Sequence, residues 1–175
     1  MEVMRLVITG PVGAGKSTFI RSVSEIEAVD TDRWATDEAA ALKSKTTVAL
    51  DFGRLQFTPE MALHLYGTPG QSRFDFMWDV LIRLAHAYIL LVPANRPAAF
   101  RNAKLIYRFM SERVAVPMLV GITHADCEDA WAVEDIAIAL GFTHPRPPFV
   151  SLNAMEAQSV TQTLMTLVSH CLQTV

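Results

Sequence analysis

Apolar residues follow two periods along the chain. Unbroken apolar stretches fall at residues 4–9 (MRLVIT), 88–92 (YILLV), 116–122 and 149–152. Runs this short, bounded by glycine, proline or polar clusters, predict strands covered on both faces. Residues 47–57, rich in β-branched and aromatic side chains, and 61–66 predict two more. The Thr58-Pro59-Glu60 turn between those two makes them an antiparallel hairpin, since a parallel pair needs a long crossover.

Helical spacing fills the intervals. It predicts helices over residues 16–24, 72–85, 98–114 and 134–140, the last stopped by Gly141 as a C-cap. The third carries Phe100, Ala103, Tyr107, Met110 and Val114 on one stripe. A closing helix has Val160, Leu164, Leu167, Val168 and Cys171 on one face. Residues 25–45 lose both periods, with Trp34 as their one aromatic side chain, and predict a functional mobile loop. Strands alternating with helices predict an α/β, three-layer fold. Its sheet is six-stranded and mostly parallel, with one antiparallel edge strand. No repeat or linker divides residues 1–175, which predicts a single domain.

Composition narrows the partners. Hydrophobic residues are 51% and charged ones 19%, which suits a packed core. The net charge of −3, with no basic block, speaks against a protein that holds nucleic acid through its phosphates. Cys127 and Cys171 have no metal-ligand spacing, and a reduced, cytoplasmic setting is expected. No apolar run has the length of a bilayer span. Residues 1–5 lead straight into a strand rather than forming a signal peptide, and Glu2 and the position of Cys171 fit neither a myristoyl nor a prenyl motif. No stable membrane anchor is therefore expected.

The sharpest chemistry is at residues 10–17 (GPVGAGKS), which match G-x-x-x-x-G-K-[ST] between a predicted strand and a predicted helix. In such a loop the backbone amides curl around phosphate oxygens and the helix adds its positive end. Gly10, Gly13, Ala14, Gly15, Lys16, Ser17 and Thr18 form the candidate phosphate-binding set. Lys16 brings a full charge to the β- and γ-phosphates, and the Ser17 hydroxyl can ligate Mg²⁺.

With these segments in order, nearly the whole chain resembles a Ras-like small GTPase. Residues 45–52 (KTTVALDF) resemble the first switch, where a threonine closes over the γ-phosphate and metal; Thr47 fits by spacing and Thr46 competes with it. Residues 67–74 (GTPGQSRF) resemble the second switch. The resemblance implies that Gly70 senses the γ-phosphate and that Gln71 orients the attacking water. The T-P-G-Q form is similar to that of the MglA-related bacterial GTPases. It is closer still to the GTPases encoded beside roadblock-domain proteins in actinobacteria, whose pattern residues 46–53 also fit. Two positions depart. Gly67 stands where the family has an aspartate that holds the Mg²⁺ hydration shell, leaving Asp51 or Asp32 as substitutes. Thr46 stands where the gliding-motility GTPases carry a catalytic arginine, with Arg54 and Arg73 nearby. A missing arginine implies turnover slower by roughly 10³–10⁵ than in an assisted enzyme.

Residues 123–126 (THAD), after a predicted strand, sit where Ras-like proteins carry N-K-x-D. The resemblance implies that Asp126 accepts hydrogen bonds from guanine and that His124 stacks on the base beside Thr123. A carboxylate left unpaired by adenine discriminates strongly. Alternatively, Asp126 caps the next helix. Asn153 and Ala154 occupy the place of the family's closing base contact. The aromatic set Phe74, Phe76 and Trp78 reads equally as core or as a partner surface. His64, His86, His144 and His170 have no metal spacing. Together these features imply a GTP/GDP switch with Mg²⁺, hydrolysing slowly, and a roadblock/LC7-domain regulator as partner. A small-molecule kinase and a non-hydrolysing scaffold are the alternatives. A kinase needs an arginine-bearing lid, for which only residues 145–148 are a candidate.

Overall fold

The apolar runs become the strands of one six-stranded sheet in the computed structural model, which describes residues 1–26, 50–70 and 75–174. The strands are β1 (Glu2–Thr9), β2 (Asp51–Thr58), β3 (Met61–Gly67), β4 (Ala87–Pro93), β5 (Met118–Thr123) and β6 (Phe149–Ser151). The helices are α1 (Lys16–Val23), α2 (Asp75–Leu84), α3 (Phe100–Arg113), α4 (Val133–Leu140) and α5 (Ala157–Gln173). A single 3₁₀ turn, Pro97–Ala99, leads into α3. The sheet order is β2-β3-β1-β4-β5-β6. Every pairing is parallel except that of β2 with β3, so the expected antiparallel strand lies at an edge.

The period of two along each strand sorts the core into layers. Leu6 and Ile8 of β1, with Ile89 and Leu91 of β4, face α1 and α5, where Phe19, Ile20, Leu164 and Leu167 cover them. Val7, Tyr88, Leu90 and Val92 point the other way, onto α2, α3 and α4 through Trp78, Leu81, Ala103, Ile106 and Ile136. Side chains buried this fully contribute about 1.5–3 kcal/mol each from apolar area alone. α4 ends as expected: Gly141 adopts φ 82° and the Phe142 amide bonds the Ala137 carbonyl at 3.0 Å.

Some expectations shift. β1 starts at Glu2, and α3 buries Ile106 where the stripe predicted Tyr107. Both positions flank the helix face, but the aliphatic side chain goes to the sheet. Tyr107 is only partly covered, packing on Phe142 with ring centroids 4.5 Å apart. The predicted loop beyond residue 26, the start of the first switch at 45–49 and residues 71–74 lie outside the described residues.

Parallel order has one consequence for chemistry. β1, β3, β4, β5 and β6 all end at the same edge, so the segments that follow them converge there. β2 runs the other way and presents its first residue, Asp51, at that edge, opposite Gly67. In open α/β sheets this carboxyl edge is where ligands bind.

Candidate functional site

Residues 10–17 leave β1 at this edge and turn into α1. Gly10 adopts φ 148°, and a Cβ there would stand 2.3 Å from the Leu91 carbonyl oxygen, so glycine alone lets the loop pass β4. Lys16 Nζ donates to the carbonyls of Gly10 at 2.7 Å and Pro11 at 2.8 Å. Burial pushes its ammonium down to about 8, against the attraction of Asp51. Ala14 is buried, its carbonyl accepting a 2.8 Å bond from the Thr123 hydroxyl, which ties the phosphate loop to the end of β5. Thr18 is exposed on the first turn of α1.

The Ser17 hydroxyl donates to the Asp51 carboxylate. A Cβ on Gly67 would stand 3.1 Å from Asp51 Cβ and 3.6 Å from its Oδ2. Asp51 thus brings a carboxylate, from the neighbouring strand, to the space beside the residue where the resemblance expects one. Of the two substitutes left open by the sequence, Asp51 is at Ser17, and Asp32 lies outside the described residues. Thr46, Thr47, Gln71, Arg73 and Phe74 lie outside them as well.

Residues 68–70 are held at three points. The buried Thr68 hydroxyl donates to Thr9 Oγ1 at 2.8 Å, Trp78 Nε1 donates to the Pro69 carbonyl at 2.6 Å, and Asn102 Nδ2 donates to the Gly70 carbonyl at 3.1 Å. These anchors press Gly70 onto the phosphate loop: a Cβ on it would lie 2.6 Å from the Val12 amide and 2.9 Å from Lys16 Nζ. The aromatic set divides by residue. Trp78 is core, at 3% exposed, whereas Phe76 is 47% exposed.

His124 follows β5 with φ 57°, the one non-glycine residue at positive φ among the described residues, and its Nδ1 lies 3.1 Å from Thr123 Oγ1. Such backbone is uncommon outside glycine and merits a functional reading. Asp126 is exposed in the turn that follows. It does not cap the next helix: α4 begins at Val133, after Ala132, with no side-chain cap. Ala154 is nearly buried, with its methyl 3.4 Å from where a Cβ on Gly15 would be. The Asn153 side chain is spent on its own turn, accepting from the Met155 amide at 3.0 Å and donating to Glu156 at 3.2 Å.

Two arginines weighed in the sequence, and one that was not, have defined partners. Arg54 is turned away from the phosphate loop, with Nη2 3.8 Å from Met1 Sδ. Arg146, the one cation of the candidate lid, is held by Glu134 through two bonds of 3.0 and 2.7 Å and lies over the Phe149 ring. Sequence reasoning passed over Arg96, whose Nη2 donates to the Val12 carbonyl at 2.6 Å. Its place, just after β4 at the carboxyl edge, was the available signal. Among the described residues, no three His, Cys, Asp or Glu side chains gather as a metal site and no helix is long and apolar enough to cross a membrane.

The sheet order and the loop after β1 define a P-loop α/β domain of small-GTPase type. The Arl6 BBS3 small GTPase from Trypanosoma brucei, solved with the bound nucleotide analogue GppNp, matches 99% of both chains with a TM-score of 0.74 at 16% identity. Likeness at that identity is one of fold. The model of the family described as conserved hypothetical ATP binding protein matches residues 26–174, and the chain belongs to that family. An uncharacterized protein of Methanocaldococcus jannaschii is 22% identical over 121 residues, which are 69% of this chain and 70% of that protein. Fold and family together support nucleotide binding. The family match begins beyond the phosphate loop. Neither match speaks to the narrower bacterial group suggested by residues 46–53 and 67–71.

Proposed function

We propose that this chain binds GTP and GDP with Mg²⁺, hydrolyses GTP slowly, and alternates its segments near 45–54 and 67–80 between two states. The observation that carries this reading is the glycine-lined loop at the sheet edge, with Lys16 and the Ser17–Asp51 pair at its mouth. Oxygen donors on Ser17 and Asp51 suit Mg²⁺, which prefers hard oxygen ligands and keeps several waters. On this reading those two residues, with Thr47, hold the ion, whose charge offsets that of the phosphates. Gly70 reports the γ-phosphate from its place against the Val12 amide, and Gln71 orients water. Gly13, Ala14, Gly15, Lys16, Ser17 and Thr18 line the phosphates. Thr123, His124, Asp126 and Ala154 line the base.

Guanine is favoured by Asp126, which lies in the turn that His124 opens after β5. The family's description names ATP, so the base is what needs testing. A partner of the roadblock/LC7 kind is proposed for the exposed Phe76 side of the second switch. The kinase alternative is disfavoured because Arg146 is occupied by Glu134.

Calorimetry with GDP, GTP, ADP and ATP, each with and without magnesium, tests the reading. Guanine nucleotides should bind at least about tenfold tighter than their adenine counterparts, since adenine leaves the Asp126 carboxylate unpaired. Equal affinities would remove the guanine assignment but keep nucleotide binding. Absence of binding by all four would remove the function itself.

A further inference from the structure

Arg96 is fixed at its backbone and directed at the phosphate loop by its side chain. The Ala94 amide bonds the Thr123 carbonyl at 2.8 Å, the Arg96 amide bonds the Pro93 carbonyl at 3.3 Å, and the Ala99 amide bonds the Arg96 carbonyl at 2.9 Å. Pro97 then opens the 3₁₀ turn. From this braced position the guanidinium crosses to the loop, where Nη2 donates to the Val12 carbonyl at 2.6 Å. A Cβ on Gly13 would stand 2.3 Å from Nη1 and 3.0 Å from Cζ. Arg96 therefore fills the space that any other residue at position 13 would need, and Gly13 also adopts φ 79°.

An exposed arginine normally extends into water or meets a carboxylate. Among the described residues Arg96 has no acidic partner, and its one hydrogen bond uses one of five N–H donors. Beside it is an open groove of about 430 Å³, bounded by Pro11, Val12, Gly70, Ala98 and Asn102, with room for the guanidinium to swing. Gly70, across that groove, lies against the Val12 amide and Lys16 Nζ. Arg96 and Gly70 thus line one groove with the loop residues Pro11 and Val12, and Gly70 in turn abuts Lys16.

We propose that Arg96 is an arginine finger supplied in cis, reaching the β- and γ-phosphates from the β4 side of the loop. The inference rests on the nucleotide hydrolase reading above and deepens it. In the reaction a water oxygen bonds to the γ-phosphorus, and the bond from that phosphorus to the β–γ bridging oxygen breaks. The products are the nucleoside diphosphate and hydrogen phosphate, with the remaining proton passing to solvent. Negative charge grows on the bridging oxygen and the γ-oxygens, and a planar, permanently charged fork placed there stabilises it. This supplies, from another element, the cation that the sequence lacks at Thr46.

The test uses the full chain, with whichever diphosphate the affinity panel shows to bind. Aluminium fluoride with a diphosphate imitates the transferring phosphoryl group, and a protein carrying its own finger should capture it without a partner. Wild type should do so, read by calorimetry, and hydrolyse the triphosphate in single turnover. Arg96→Ala should lose that capture and slow hydrolysis by about 10²–10³, the usual cost of removing one transition-state donor. Its diphosphate affinity should stay within about threefold, since a donor used only in the transition state leaves ground-state binding alone. Arg96→Lys keeps the charge without the fork and should recover little. Unchanged capture and rate in Arg96→Ala would overturn the inference. So would equal losses of rate and diphosphate affinity, which would make Arg96 a prop for the loop. A wild type that binds nucleotide yet neither captures aluminium fluoride nor hydrolyses would overturn the finger but leave the binding reading. A wild type that binds no nucleotide would sink both.

Discussion

Removing the Asp51 carboxylate should release the Ser17 hydroxyl to rotate freely and weaken the hold on Mg²⁺. The Ser17–Asp51 bond is charge-assisted, a class worth about 1.5–3 kcal/mol. Asp51 on this reading faces the ion and also orients the Ser17 ligand, and loss of the orienting role alone costs roughly 10–100-fold in metal affinity. A magnesium titration of nucleotide affinity should therefore show the midpoint of Asp51→Ala raised by about that factor. The register offers a rescue. Asp51 and Gly67 face each other across β2 and β3, and their Cβ positions would be 3.1 Å apart, so one carboxylate fits there and two crowd. Gly67→Asp alone should worsen magnesium dependence by like-charge repulsion, whereas Asp51→Gly with Gly67→Asp should restore much of it. A magnesium midpoint in Asp51→Ala equal to that of wild type would refute the role given to this carboxylate.

Lys16 gives a pH dependence with two opposite signs. Its ammonium titrates at about 8 in the free protein, below the ordinary 10.5, because it is buried. Between those values the unfolded chain binds more protons than the folded one, so stability should rise with pH in that window. A bound phosphate needs the proton, so nucleotide affinity measured without magnesium should fall about tenfold from pH 7 to pH 9. A flat affinity profile over that range would exclude the phosphate role of Lys16. Trp78→Phe keeps the ring but removes the 2.6 Å bond to the Pro69 carbonyl. It should lower stability in urea titration by about 1–2 kcal/mol. A smaller loss would mean that the other two anchors suffice to hold residues 68–70.

The sheet was legible because its strands are short apolar runs with turn residues between them. The phosphate loop was legible because a contiguous motif carries its own geometry. What escaped depended on contacts between distant segments. Asp51 and Ser17 are 34 residues apart, and no spacing rule links a β2 carboxylate to a helix hydroxyl until the strands are registered. Arg96 lies 84 residues from Val12 and reads as an ordinary surface charge until β4 is placed beside β1. The capping alternative for Asp126 failed for a local reason. The turn after β5 is longer than a single cap allows, and α4 waits until Val133. The stripe took Tyr107 in place of Ile106 because positions three and four residues after Ala103 flank the same helix face, and only packing chooses between them.

The hairpin at the sheet's edge makes the seat beside Ser17 reachable from two directions of chain. One strand ends there and the other begins there, so an acid can be delivered by either without altering the backbone. A search keyed to a single column after β3 would discard this chain as lacking the acid. A query for any carboxylate oxygen touching the hydroxyl that follows the loop lysine would retain it. Such a query ties kinship to where an atom ends up, and lets the residue number that supplies it drift.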